Sequence, residues 1–138
     1  MIVLDTNALS KVMKPAPSAE VAKWMLREHG SRLYTTAVCE AEIRLGIALL
    51  PDGKRNQDLE TAALRVLTLF AGRILAFDSA AAQEFARIVA ERRRIGRPIE
   101  DFDAQIAAFT LSRGMTLATR NVPDFVGTGL ALVAPWTS

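Results

Sequence analysis

The sequence predicts an α/β fold: a mostly parallel sheet covered by helices on both faces. Three observations carry this reading. Short apolar runs of strand length alternate with longer stretches of helical periodicity along the chain. The intervening stretches are long enough to cross over a sheet, as parallel pairing requires. Finally, 138 residues, 50% hydrophobic and 23% charged, suit one folded domain, residues 1–138, better than two domains or a disordered chain. No internal repeat, low-complexity tract or Pro/Gly-rich linker divides it.

The elements follow in order. Ile2–Leu4 is a short apolar strand that ends on Asp5, and a helix begins at Thr6 and Asn7. Ser18–Glu28 has helical spacing, with Val21, Trp24 and Arg27 at steps of three; Trp24 is read as packing, with base stacking as its alternative. His29 precedes Gly30 at that helix's end, where an imidazole near the last carbonyls is commonplace. Leu33–Thr35 is the second strand, followed by helices over Ala37–Leu50 and Asn56–Ala71. Ile74–Phe77 is the third strand, and Asp78 is the N-cap of a long helix, Ser79–Ile95. A helix over Phe102–Arg113, a strand over Met115–Thr119 and a strand over Ala131–Val133 complete the chain. Trp136 falls near the C-terminus, where it suits base stacking or an interface.

Composition removes several function classes. One cysteine, Cys39, read as core, leaves no intrachain disulfide or Cys-rich zinc site, and one histidine leaves no HExxH protease or His-based metal triad. No apolar run reaches the length of a membrane span. The start, Met1 to Asp5, has no basic segment and meets a charge at once, so a cytoplasmic protein without a secretory signal is expected. The net charge of +2 is too small to announce a nucleic-acid partner. Its distribution says more: all four lysines lie within the first 54 residues, whereas arginines run throughout and include Arg92, Arg93, Arg94 and Arg97. Those arginines either close a helix C-terminus or contact phosphates.

Ligands of parallel sheets bind outside the carboxyl ends of the strands, and acids gather there. Asp5 ends the first strand, as an N-cap or as a site residue. Glu42 lies on the expected apolar line of its helix, with Val38, Cys39, Leu45, Gly46 and Leu49, while Glu40 and Arg44 form an exposed pair on the other side. Its bland alternative is a buried Glu satisfied by an arginine. Asp103 lies opposite the polar stripe of Asp101, Gln105, Ser112 and Arg113, beside Ile106, Ala107 and Thr110; its alternative is a first-turn Asp favoured by the helix dipole, a role Asp101 or Glu100 also fits. Asp124 follows the fourth strand, as turn residue or site acid, and Asn121 offers a neutral oxygen to the same place. With no lysine after Lys54, acids converging there cannot all stay ionised without a cation. An oxygen-only donor set suits Mg²⁺ or Mn²⁺. The implied chemistry is phosphate-ester hydrolysis, in which the cation activates water and offsets developing charge. Thr6 and Thr119, at strand ends, suit either turn duty or orientation of Asp5 and its waters.

The ordered set Met1 to Asn7, Glu42 to Ile47, Pro98 to Ala107 and Leu117 to Leu130 resembles the PIN-domain ribonucleases, and within them the VapC/FitB-like toxins of type II toxin–antitoxin modules. The resemblance covers nearly the whole chain. It implies a three-layer α/β/α fold with strand order 3-2-1-4-5 and a metal-dependent endoribonuclease. It further implies a homodimer, silenced by a small cognate antitoxin through which alone it would reach operator DNA. By position, Asp5 and Asp103 match the principal Mg²⁺ ligands and Glu42 the third acid; Asn7 belongs to an Asp-Thr-Asn motif and would order Asp5. Several relatives carry an acid where this chain has Asn121, which leaves Asp124 as the fourth carboxylate. Arg92, Arg93, Arg94 and Arg97 then fall on the rim of the cleft as RNA contacts.

Other readings compete. A receiver domain needs a late lysine, a haloacid-dehalogenase phosphatase needs an Asp at position 7, and a Rossmann or P-loop protein needs a Gly-rich phosphate loop; all are missing. The serious alternative is a catalytically silent PIN-like module for RNA binding or interaction. A DNA target is a further one, because nothing in the sequence detects a 2′-hydroxyl.

Overall fold

The computed structural model describes residues 1–14, 18–28 and 32–135; His29 and Trp136 lie outside them. The chain runs β1 (Ile2–Leu4), α1 (Thr6–Val12), α2 (Ala19–Arg27), β2 (Leu33–Thr36), α3 (Ala37–Ala48), α4 (Lys54–Leu69), β3 (Ile74–Leu75), α5 (Ser79–Arg94), α6 (Asp101–Ser112), β4 (Thr116–Ala118), α7 (Val122–Phe125) and β5 (Ala131–Val133). The strands form one sheet in the order β3-β2-β1-β4-β5, and each pairing is parallel. Helices flank it in the three-layer arrangement expected.

β1 lies between β2 and β4, with Ile2 opposite both Leu33 and Thr116. Val3, Leu4, Leu117 and Ala118 are fully buried, as a central strand covered on both faces demands. α6 supplies Ala104 and the run Ile106 to Thr110 to the interior. The Phe77 ring meets Phe109 edge-on at a centroid distance of 5.4 Å. Trp24, with Val21, and Cys39 are core residues. Asp78 caps α5, accepting from the Ala81 N–H at 3.0 Å.

Two local expectations need correction, and one element leaves no signal in the sequence. The third strand stops at Leu75 rather than Phe77, because the Ala76 carbonyl is taken by Arg113 Nη2 at 2.9 Å and Phe77 turns onto Phe85 and Phe109. The helix α7 has four residues, about one turn and too short to leave a periodic signal. The apolar line of α3 is not a buried face throughout, since Leu45 is 55% and Leu49 76% exposed. Gly96 (φ 73°) ends α5 and Gly114 (φ 65°) ends α6, each in the left-handed conformation that costs glycine least.

Candidate active site

The carboxyl ends of β1 and β4 lie side by side; Asp5, Thr6 and Asn7 follow the first and Thr119, Asn121 and Asp124 the second, while Glu42 comes from α3 and Asp103 from the start of α6. Asp5 immediately succeeds β1 and is held in place by its own N–H, which donates to the Ala118 carbonyl at 3.2 Å. Its Oδ1 accepts from the Ala8 N–H at 2.8 Å, so it caps α1 and faces the strand ends at once. The Thr119 hydroxyl is bonded to the same carboxylate and in turn accepts from the Asn121 N–H at 2.9 Å. Burial pushes the Asp5 carboxyl above its usual range, and these bonds from Thr119 and Ala8 oppose the rise.

Glu42 is half-buried on α3, and its Oε1 accepts from the Thr6 hydroxyl at 2.6 Å. Thr6 therefore orients Glu42 rather than Asp5. Glu40 and Arg44 form the exposed pair expected, at 2.7 Å. The Cys39 thiol, pushed up by burial, lies 3.7 Å from the Leu4 carbonyl.

Asp103, half-buried in the first turn of α6, is the electrostatic focus. Its carboxyl is pushed up to about 6, first by desolvation and then by the charges of Asp124, Glu100, Glu42 and Asp5. Each of the other three acids singled out in the sequence thus acts on this one group. Glu100 is the acid that sequence reasoning assigns to capping alone. It occupies the N-cap position of α6 without a side-chain cap bond. A signal is present in the sequence: Glu100 and Asp103 are three apart, on one face of the helix start.

Asp103, Glu100, Asp124 and Asn121 line one cavity of about 420 Å³, together with Arg92, Pro98 and Ile99. Glu42 opens instead toward a neighbouring space of about 280 Å³ among Met13, Ile43, Gly46 and Ile47. Among the described residues, no group of three His, Cys, Asp or Glu side chains is close enough to hold a metal ion. What the site provides is one half-buried carboxyl, Asp103, raised by burial and by the charges of Asp124, Glu100, Glu42 and Asp5, and among the described residues none of Asp5, Glu42, Asp103 or Asp124 is in an ion pair. A hard divalent cation fits that donor set, because Mg²⁺ needs only one or two protein carboxylates and fills its other positions with water and phosphate oxygens.

Besides Thr6, two more residues are placed differently from expectation. Asn7 is exposed and makes no hydrogen bond to Asp5 among the described residues; Thr119 and the Ala8 N–H do that work. Arg92 is 5% exposed, with its guanidinium donating to the carbonyls of Arg97 at 2.6 Å, Asp124 at 2.9 Å and Val126 at 2.8 Å. It fastens the end of α5 to the Asp124 turn instead of reaching for solvent. Arg93, Arg94 and Arg97 are exposed, and Arg94 pairs with Glu91.

The PIN domain family matches residues 2–122 of the chain. The VapC ribonuclease Y4jK of Sinorhizobium fredii is 36% identical over 137 residues, which is 99% of this chain and 98% of that protein. Toxin FitB of Neisseria gonorrhoeae is 38% identical over 137 residues, 99% of each. In three dimensions the chain is similar to the solved structure of FitAB bound to the IR36 DNA fragment, with a TM-score of 0.89 and 38% identity, covering 100% of this chain and 97% of that one.

Proposed function

The chain belongs to the PIN-domain family, and on that premise we propose that it is a divalent-metal-dependent endoribonuclease, the toxin of a type II toxin–antitoxin pair. The observation that carries this reading is the Asp103 carboxyl, raised to about 6 among Asp124, Glu100, Glu42 and Asp5 with no cationic partner among the described residues. Such crowding costs stability unless a ligand offsets it, and perturbed carboxyls in a cavity are a mark of functional sites.

In this reading Asp5 and Asp103 are the principal ligands of Mg²⁺ or Mn²⁺, Glu42 is the third acid, and Asp124 the fourth. When bound, the ion lowers the pKa of the attacking water and stabilises charge on the phosphate being cleaved. Thr119 holds Asp5 at the strand end, Thr6 fixes the rotamer of Glu42, and Arg92 anchors the backbone that carries Asp124. Asn121 contributes a neutral oxygen beside Asp124. Arg93, Arg94 and Arg97 supply phosphate contacts along the rim. The chain acts in the cytoplasm as a homodimer, is silenced by a small cognate antitoxin and reaches operator DNA only through it. The names of its relatives, a VapC ribonuclease and a FitAB complex with DNA, support the nuclease activity and the antitoxin partner; no described helix is long and apolar enough to cross a membrane.

A second reading, a catalytically silent PIN-like module, is favoured by one observation: no three-carboxylate group stands ready among the described residues. Cleavage of structured RNA by purified, antitoxin-free protein separates the two. Cutting that needs Mg²⁺ or Mn²⁺, stops with chelator and is lost in a folded Asp5→Asn variant supports the nuclease. A wild type that neither cuts RNA nor binds metal supports the silent module.

A further inference from the structure

Beside the acidic cavity lies a second polar one, of about 490 Å³, lined by Asn7, Ser10, Lys11, Lys14, Arg120 and Asn121; Ser10 and Lys14 also border the space into which Glu42 opens. Asn7, Ser10, Lys11 and Lys14 succeed one another at helical spacing, so one face of α1 and its continuation forms a wall. Arg120 and Asn121 form the other, directly after Thr119, whose hydroxyl holds Asp5. Asn121 lines this cavity and the acidic one alike. The two spaces are therefore neighbours of opposite charge. No acid lines the basic one, and among the described residues none of its three cations is in an ion pair. All three cations line this one cavity, and the charge of Lys14 first, then desolvation and the charge of Arg120, depress the Lys11 ammonium below its usual range.

We propose that this cavity is a backbone-phosphate subsite: it holds the phosphodiester next to the one presented to the carboxylates. The inference rests on the nuclease reading for the identity of the polyanion, and it answers a problem that reading raises. A cleft lined by Glu100, Asp103 and Asp124, with the charges of Glu42 and Asp5 acting on Asp103 as well, repels nucleic acid, and one divalent ion does not neutralise it. Binding a strand needs compensating cations close by. Two ammonium groups and a guanidinium fork, with the Asn7 and Asn121 amides as donors, are the chemistry that holds a phosphate without reading its base.

The test is equilibrium binding of a short fluorescent single-stranded RNA oligonucleotide in chelator, as a function of salt. Removing one cation that engages a phosphate flattens the log–log salt slope by roughly 0.7. Lys11→Ala/Lys14→Ala/Arg120→Ala is expected to flatten it by about 2 and to weaken binding at least tenfold in low salt, if all three charges engage phosphate. If that variant fails to fold, Lys14→Ala/Arg120→Ala, at two exposed positions, is expected to flatten it by about 1.4. Lys54→Ala/Arg55→Ala/Arg65→Ala, on the exposed side of α4, removes the same charge elsewhere and leaves the slope in place. An unchanged slope in the subsite variants overturns the proposal even if the wild type cleaves RNA. A flattened slope upholds it even if no metal supports cleavage, in which case the nuclease reading fails alone. Loss of binding to a glutamate-rich peptide with RNA binding intact assigns the cavity to a protein partner and overturns the proposal.

Discussion

Replacing Asp103 by Asn should make the metal-free protein more stable, although it removes a residue from the centre of the site. The ionised Asp103 carboxylate is unwelcome where it sits: burial, Asp124, Glu100, Glu42 and Asp5 together push it from 3.8 to about 6. At roughly 1.4 kcal/mol per pH unit, that rise sets a ceiling of about 3 kcal/mol. The group is only half-buried, so solvent screening leaves about 1–2 kcal/mol of it. The helix dipole gives back ~0.5 kcal/mol for a charge in the first turn of α6. The net gain on neutralisation is about 1 kcal/mol, or an increase in Tm of about 4 °C for a domain of this size. Thermal unfolding in chelator near neutral pH reads it directly. The pH dependence comes from linkage. The folded value lies above the unfolded one, so wild type is free of the penalty below about 3.8 and acquires it as pH rises through about 6. The advantage of Asp103→Asn therefore shrinks on acidification. Added Mg²⁺ should stabilise wild type and not the variant, reversing their order. An Asn variant that is less stable in chelator at neutral pH, or a difference indifferent to pH, refutes the repulsion on which the metal site is argued.

Other consequences are separately measurable. Thr119→Val removes a bond that keeps the Asp5 carboxyl from rising further; Mn²⁺ affinity, read by titration, should fall roughly 10-fold or more, as it does when a metal ligand is deprived of its supporting hydrogen bond. Arg92→Ala leaves the carbonyls of Arg97, Asp124 and Val126 without their shared donor and should cost about 3 kcal/mol in urea denaturation, with Arg92→Lys rescuing little because an ammonium lacks the planar fork. Arg93→Ala/Arg94→Ala/Arg97→Ala should leave stability within about 0.5 kcal/mol while flattening the salt dependence of RNA binding; an unchanged slope removes those arginines from the RNA path.

Much of this architecture is legible in the sequence because apolar patterning is a local signal. The run Ile2-Val3-Leu4 ending on Asp5, and the alternation of short strands with long helices, point to the sheet, its parallel sense and the end where acids gather. Asp103 is readable for the same reason: a charge opposite the polar stripe of α6 stands out against Ile106, Ala107 and Thr110, all buried. Helical spacing misleads where exposure is decided by tertiary neighbours. Leu45 and Leu49 keep the apolar line of α3 yet face outward, and Glu42 owes its orientation to Thr6, 36 positions away. Arg92 is indistinguishable from its exposed neighbours by sequence because nothing local tells which arginine of a run turns inward; its partners lie beyond position 120 and at Arg97. Glu100 reads as a cap because capping and site duty use the same residue type at the same position.

The nuclease function turns on the metal centre, and Mn²⁺ anomalous scattering from crystals grown with that ion locates it without reference to any substrate. The expected result is a peak at ligand distance, about 2.0–2.2 Å, from carboxylate oxygens of Asp5 and Asp103. Crystals that bind Mn²⁺ elsewhere, or leave these two carboxylates without a peak at saturating ion, contradict it.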